Sequence, residues 1–416
     1  MKKPIIKLLR AREILDSRGN PTLEVEITTN KGRVRASVPS GASKSKYEAL
    51  ELRDRGERYQ GKGVLKAVRN VNKVIAPRLK GLDPREQEKI DALLLKLDPS
   101  KNKKKLGANA ICAVSMAVSK AGAQAKGVFL WQHILEVCFR KGFSRKVRMP
   151  RPCFNIINGG AHAGNNLVFQ EFMVSPSFKN FSKNLQAGAE IYHQLKKEIK
   201  KRYGPLATNL GDEGGFAPPL ERPERALELI VKAAKALGYE NNFKVIIDVA
   251  ASQFFKNKKY KTCFGNFSFK EFGDYYLRLI SKYPILGLED PFSQDDFEGW
   301  PNLMKRTKEK KVLLVGDDLL ATNAERMARA KEKGLCNGAI IKVNQIGTVS
   351  EAIASALMAK SFGWKIIVSH RSGETCDYFI ADFALGIGAD FIKSGAPARG
   401  ERVAKYNRLL KIEKEI

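Results

Sequence analysis

Six short apolar runs in the last 175 residues each end on one polar residue. KVIID ends on Asp248, ILGLE on Glu289, VLLVGD on Asp317, AIIK on Lys342, KIIVSH on His370 and ADFIK on Lys393. The spacings are 41, 28, 25, 28 and 23 residues, the pitch of a strand, a helix and two loops. Continuous Val/Ile/Leu runs mark strands buried on both faces, like the parallel strands of a barrel. With CFNIIN and FQEFMV upstream there are eight candidate strands, enough to close a (β/α)₈ barrel. Such a barrel carries its active site at the C-terminal strand ends, so three carboxylates, two lysines and a histidine should converge there. Three hard oxygen ligands, Asp248, Glu289 and Asp317, suit Mg²⁺. A lysine beside a cation can have a lowered pKa and act as a base. Lys342 and Lys393 directly follow buried residues and should point into the cleft; spacing alone does not say which removes a proton and which neutralises substrate charge.

The first 140 residues read differently. TLEVEITT at 22–29 alternates as a half-buried strand does, and 32–43 reads as a return strand running into a Gly/Ser loop. Residues 45–59, 64–75 and 84–97 have helical periodicity, and 107–126 is an Ala-rich helix with small faces. The fold class is therefore α/β: an N-terminal α+β cap domain over 1–140, then a barrel over 141–416. The basic stretch FRKGFSRKVRMPRP at 139–152 reads as the linker. The barrel opens β, β, α, α, with helices near 178–203 and 222–238, instead of strict alternation.

No run of 18 apolar residues exists, which argues against a membrane span, and the N-terminus lacks the apolar core of a signal peptide. The six scattered cysteines fit free thiols in a reducing cytoplasm. The net charge of +30 is concentrated early: residues 1–140 hold 30 Lys+Arg and 14 Asp+Glu, hence +16, leaving +14 for the other 276. That charge fits a surface for nucleic acid or anionic lipid. It equally fits solvated lysine faces, the simpler reading, since no RNA-stacking or helix-turn-helix signature accompanies it.

Several loops carry further candidates. GDEGGFAPP at 211–219 sets Asp212 and Glu213 between glycines, where an acid with a raised pKa can protonate a leaving group. SHRSGE at 369–374 groups His370, Arg371 and Ser372, a phosphate-binding set. NGGAHAGN supplies His162, and FQEF supplies Gln170 and Glu171. PSGASKSKYEA at 39–49 reads as a lid that excludes water.

Together these strings resemble the enolase family. The resemblance runs from EILDSRGNPT through SGAS, LGANAI, NIINGGAHAGNN, QEFM, GDEGGFAP, DVAAS, EDPF, GDDL, KVNQIG, SHRSGET and GAPARGER to AKYNRLLKIE. It implies a cytoplasmic lyase of glycolysis and gluconeogenesis that interconverts 2-phosphoglycerate and phosphoenolpyruvate with two Mg²⁺ ions. Asp248, Glu289 and Asp317 would hold the first ion. Ser43 on the lid would share the second, which arrives with substrate. Lys342 would be the base, and Glu213, helped by Glu171, the acid. His162, Gln170, His370, Arg371, Ser372 and Lys393 would grip substrate. Homodimerisation is implied too, with Glu24 and Lys411 where the family often pairs Glu with Arg; Lys lacks that bidentate fork. The chain departs from the family pattern at Lys44, Gln253, Cys376 and Gly400, none expected to touch the residues assigned to chemistry. Two other readings are a superfamily member acting on a different carboxylate, which the phosphate set opposes, and a nucleic-acid-associated protein, supported by charge alone.

Overall fold

The computed structural model describes residues 3–42, 45–141 and 147–416. Eight strands close a barrel. In ring order they are Ile285–Glu289, Leu313–Gly316, Gly338–Ile341, Lys365–Ser369, Phe391–Lys393, Arg151–Asn158, Glu171–Pro176 and Phe243–Asp248, the last pairing back onto the first. Seven run in one direction. Glu171–Pro176 is antiparallel to both neighbours, the structural form of the β, β opening. Its reversal brings its first residue, and not its last, to the mouth. Glu171 accordingly pairs with Asn158 and Asp248, the final residues of their strands.

Strand alternation sets what faces the barrel axis. Cys153, Met173, Ile246, Val315, Ile340, Ile367 and Phe391 pack together as a cluster apart from the main core. Two residues toward the mouth from six of these stand Asn155, Glu171, Asp248, Asp317, Lys342 and Lys393. The alternate residues, among them Val245, Ile247, Leu314, Ile341 and Val368, join the main core. Both faces are therefore apolar until the last inward position.

The cap sheet has three antiparallel strands, Ile6–Leu15, Pro21–Thr29 and Gly32–Ser37. Its inward residues Leu23, Val25 and Ile27 are fully buried, as is nearly every residue of the helix Ala108–Lys126. The helix expected over 45–59 does not form; only a short turn, Arg58–Gly61, appears there. Its charged residues bond outward instead. Arg53 donates to the carbonyls of Pro21 and Lys62, both at 2.6 Å, and Asp54 accepts the amides of Leu65 and Lys66, both at 2.8 Å. Asp54 thus satisfies the open donors of the next helix and is not available to continue one of its own. The helix Leu130–Arg140 was not anticipated and runs into the stretch read as linker. Among the described residues no helix is long and apolar enough to cross a membrane.

Buried polar groups join the cap to the barrel. Asp91 accepts Ser115 Oγ at 2.7 Å, Gln87 Nε2 at 3.0 Å and the Ser350 amide at 3.0 Å, while Ser115 Oγ accepts the Val349 amide at 2.9 Å. Two cap residues therefore cap the first turn of the barrel helix Val349–Ser361. Asp91→Ala leaves those buried donors without an acceptor. It should destabilise the protein by about 1–3 kcal/mol, read as a lower midpoint in thermal unfolding; an unchanged midpoint contradicts this account of the joint.

Candidate active site

Lys393 spans the mouth. Its strand and that of Glu289 are four places apart in a ring of eight, yet Nζ lies 2.9 and 2.8 Å from the two Glu289 carboxylate oxygens. Nζ is also 3.2 Å from Glu171 Oε2 and 3.5 Å from Asp248 Oδ2. Burial works against the ammonium, but Glu171, Glu289 and Asp248 outweigh it and push its pKa well above the usual lysine value. Burial and the charge of Asp248 raise Glu289 well above the carboxylate range.

Lys342 ion-pairs with Asp317 Oδ2, whose other oxygen accepts Gln345 Nε2 at 2.9 Å. Burial lowers the Lys342 amine, but Asp317 overrides it and the net direction is upward. The opposing charge that acts here is the Asp317 carboxylate; the lowering expected of a lysine beside a cation concerns the metal-loaded site.

Glu171 and Glu213 face His162, whose Nδ1 is 3.6 Å from an oxygen of each. Glu213 Oε2 accepts Asn155 Nδ2 at 3.0 Å and lies 3.0 Å from His370 Nε2. Burial and the charge of Glu213 raise Glu171 well above its usual range. Burial also pushes Glu213 up, but His370, His162 and Arg402 draw it well below. The two carboxyls of the pair are thus shifted in opposite directions, Glu171 upward and Glu213 downward.

Asp248, Glu289 and Asp317 all reach the mouth, but they are not one tight set. Among the described residues, the acid and histidine groups whose ligand atoms all lie within 4.8 Å are His162–Glu171–Glu213 and Asp290–Asp317–Asp318. Lysines stand between the members of the expected trio. The donor set nonetheless fits a divalent cation. Five buried carboxylates (Glu171, Glu213, Asp248, Glu289, Asp317) face two ammonium groups, and a hard cation would balance that excess.

Arg371 pairs with Glu48 of the cap at 2.9 and 3.1 Å, and Ser372 Oγ accepts the Ala42 amide at 2.6 Å. The phosphate set is thus tied to the loop that leads to Ser43; Ser43 and Lys44 lie outside the described residues. Gln170 Nε2 donates to Asp248 Oδ2 at 3.1 Å, and Gln253 Nε2 donates to Gln170 Oε1 at 2.6 Å. The expectation that Gln253 touches none of the assigned residues is therefore corrected: it orients Gln170.

Sequence reasoning missed Asp290. Its carboxylate accepts the amides of Asp317 at 3.1 Å and Asp318 at 2.7 Å, from a backbone φ of +40°. Glu289–Asp290 did stand out as an acidic pair in EDPF, but nothing there tells a ligand from the residue that holds the next strand end.

Residues 6–134 match the family model described as the enolase N-terminal domain, and 146–416 match the enolase C-terminal TIM barrel domain. The chain belongs to the enolase family. Enolase B of Dictyostelium discoideum is 50% identical over 427 aligned residues, which cover 99% of this chain and 95% of that relative. As expected of an enolase, a closed eight-stranded barrel carries the candidate site at one end.

Three of the four histidines are buried: His133, His162 and His370. Burial lowers all three, His133 to about 4 and His370 to about 3. Each takes a proton near 6.5 in the unfolded chain, so below that pH the unfolded state binds more protons. Their contribution to stability is full above pH 6.5 and is lost as pH falls toward 4, with a slope of about 1.4 kcal/mol per pH unit for each histidine. The histidine share of this loss is read by difference: between pH 7 and pH 5 the denaturant midpoint should fall less, or rise more, in His133→Gln than in the wild type, and identical pH profiles contradict this.

Proposed function

We propose that this chain is a metal-dependent hydro-lyase, phosphopyruvate hydratase, catalysing the reversible dehydration of 2-phosphoglycerate to phosphoenolpyruvate in glycolysis and gluconeogenesis. One observation supports the division of labour. The strands of Lys342 and Glu171 are four places apart in the eight-membered ring, so the base stands on the wall opposite Glu171, beside which Glu213 lies.

Lys342 is the base that takes the C2 proton. That proton is very weakly acidic because its removal adds a second negative charge to the substrate carboxylate. Lys393 lies beside the developing charge and stabilises it electrostatically. Glu213, with Glu171 and His162 within 4.8 Å, donates the proton that lets the C3 hydroxyl leave as water. Gln170, His370, Arg371 and Ser372 orient the substrate's polar groups. Asp248, Glu289 and Asp317 would hold one Mg²⁺, and Ser43 would share a second that enters with substrate. Held there, the ions would supply positive charge to offset the charge that develops on the substrate carboxylate.

The rest of this reading rests on sequence: cap and barrel domains meeting at 140/141, a cytoplasmic location, and a homodimer through the cap. Glu24 is engaged within its own chain by Arg12 at 2.6 Å. A second role with nucleic acid draws support from a groove of about 530 Å³ whose lining includes Lys7, Arg10, Lys73 and Lys80 and no acid.

Purified protein should form phosphoenolpyruvate from 2-phosphoglycerate, read at 240 nm, only with Mg²⁺ present. Lys342→Ala should lower kcat by at least about 10²–10⁴-fold, the usual worth of a general base. Turnover that survives either chelation or the substitution contradicts the proposal.

A further inference from the structure

Arg402 comes from the helix Gly400–Glu413, is 0% exposed, and has no role in the proposed chemistry. Its guanidinium gathers the two loops that flank the acid. Nη2 donates to the carbonyls of Asp212 at 2.9 Å and Ser372 at 2.5 Å, with Ser17 Oγ at 3.4 Å. Nη1 donates to the carbonyl of Arg371 at 2.7 Å and lies 2.6 Å from His370 Nδ1. Glu401 Oε1, 3.3 Å from Nε, is the carboxylate that balances it.

A guanidinium has only donors and keeps its charge throughout the accessible pH range. The His370 Nδ1 at 2.6 Å must therefore present its lone pair. The one ring proton is left on Nε2, which faces Glu213 Oε2 at 3.0 Å. An imidazolium would set an Nδ1–H against the guanidinium N–H. The opposite tautomer would do the same and turn the Nε2 lone pair toward a carboxylate. The other charged groups acting on this ring are Glu213 and Lys393, and neither supplies an alternative acceptor for a proton on Nδ1.

We infer that Arg402 is a positioning residue that locks His370 as the neutral Nε2–H tautomer, so that the ring turns an N–H and not a lone pair toward Glu213 Oε2 and passes it no proton. Asn155 Nδ2 donates to Oε2, which leaves Oε1, on the His162 side, as the oxygen open to a transferable proton. The mechanistic consequence rests on the proposed role of Glu213; the tautomer itself does not.

The test uses the full chain labelled with ¹⁵N-histidine, without substrate, with His370 assigned by the loss of its signal in His370→Gln. Long-range ¹H–¹⁵N spectra distinguish the two neutral tautomers and the cation. In the wild type, His370 should give the Nε2–H pattern, unchanged from pH 5.5 to 8.5. Arg402→Lys keeps the charge but loses the fork. It should yield a mixed or titrating ring, and kcat/KM should fall about 10–100-fold, mostly in kcat. An Nδ1–H or imidazolium pattern in the wild type overturns the inference, as does a wild-type His370 pattern in Arg402→Lys. The wild-type spectrum decides the tautomer even if the variant does not fold. It also needs no turnover, so a failure to convert 2-phosphoglycerate would remove the proposed activity and leave the lock standing.

Discussion

A single ammonium, Lys393 Nζ, reaches across the barrel to Glu289 and touches Glu171 and Asp248 on the way. Taking that many carboxylates out of water is costly unless positive charge accompanies them. The rest of the mouth follows from this constraint. Glu289 and Lys393 stand on opposite walls, so their pairing ties strands that share no backbone hydrogen bonds. Lys342 makes a second, separate pair with Asp317. The acids still outnumber the lysines, and the surplus makes the mouth a receptor for cations and at the same time a place where proton positions are sensitive to their arrival.

The reversed strand Glu171–Pro176 is the second determinant. In an all-parallel barrel, a carboxylate at the start of a strand would lie at the wrong end. Reversal puts Glu171 beside Asp248 and within reach of His162 and Glu213. Acid groups thereby collect on one wall and the Lys342–Asp317 pair on another, the separation that removing a proton and a hydroxyl from adjacent carbons requires. Loops from both domains complete the surround: Glu48 of the cap holds Arg371, and Ser372 holds the Ala42 amide.

Much of this was legible in the sequence because two periodicities coincide. A strand buried on both faces is apolar until it ends, and its last inward residue is the one that meets the cleft. That made Asp248, Glu289, Asp317, Lys342 and Lys393 readable from spacing alone. The groups that hold them were not. Arg402 acts from a C-terminal helix on carbonyls of residues 212, 371 and 372, and hydrogen bonds to carbonyls leave no pattern in side-chain identity. Asp290 works through two backbone amides, equally silent in sequence. The segment 45–59 has helical periodicity, but Arg53 and Asp54 are engaged by distant backbone, a tertiary competition that local propensity cannot register. The pairing of Lys342 with Asp317, 25 residues away, also escaped.

The central claim is that proton removal and hydroxyl departure are carried out from opposite walls by different residues. Exchange of the C2 hydrogen of 2-phosphoglycerate with D₂O, followed by NMR in Lys342→Ala and Glu213→Gln, separates the two steps. The account predicts that Glu213→Gln still exchanges C2–H while making little phosphoenolpyruvate, and that Lys342→Ala does neither. Exchange that persists in Lys342→Ala, or that vanishes in a folded, metal-binding Glu213→Gln, would contradict it.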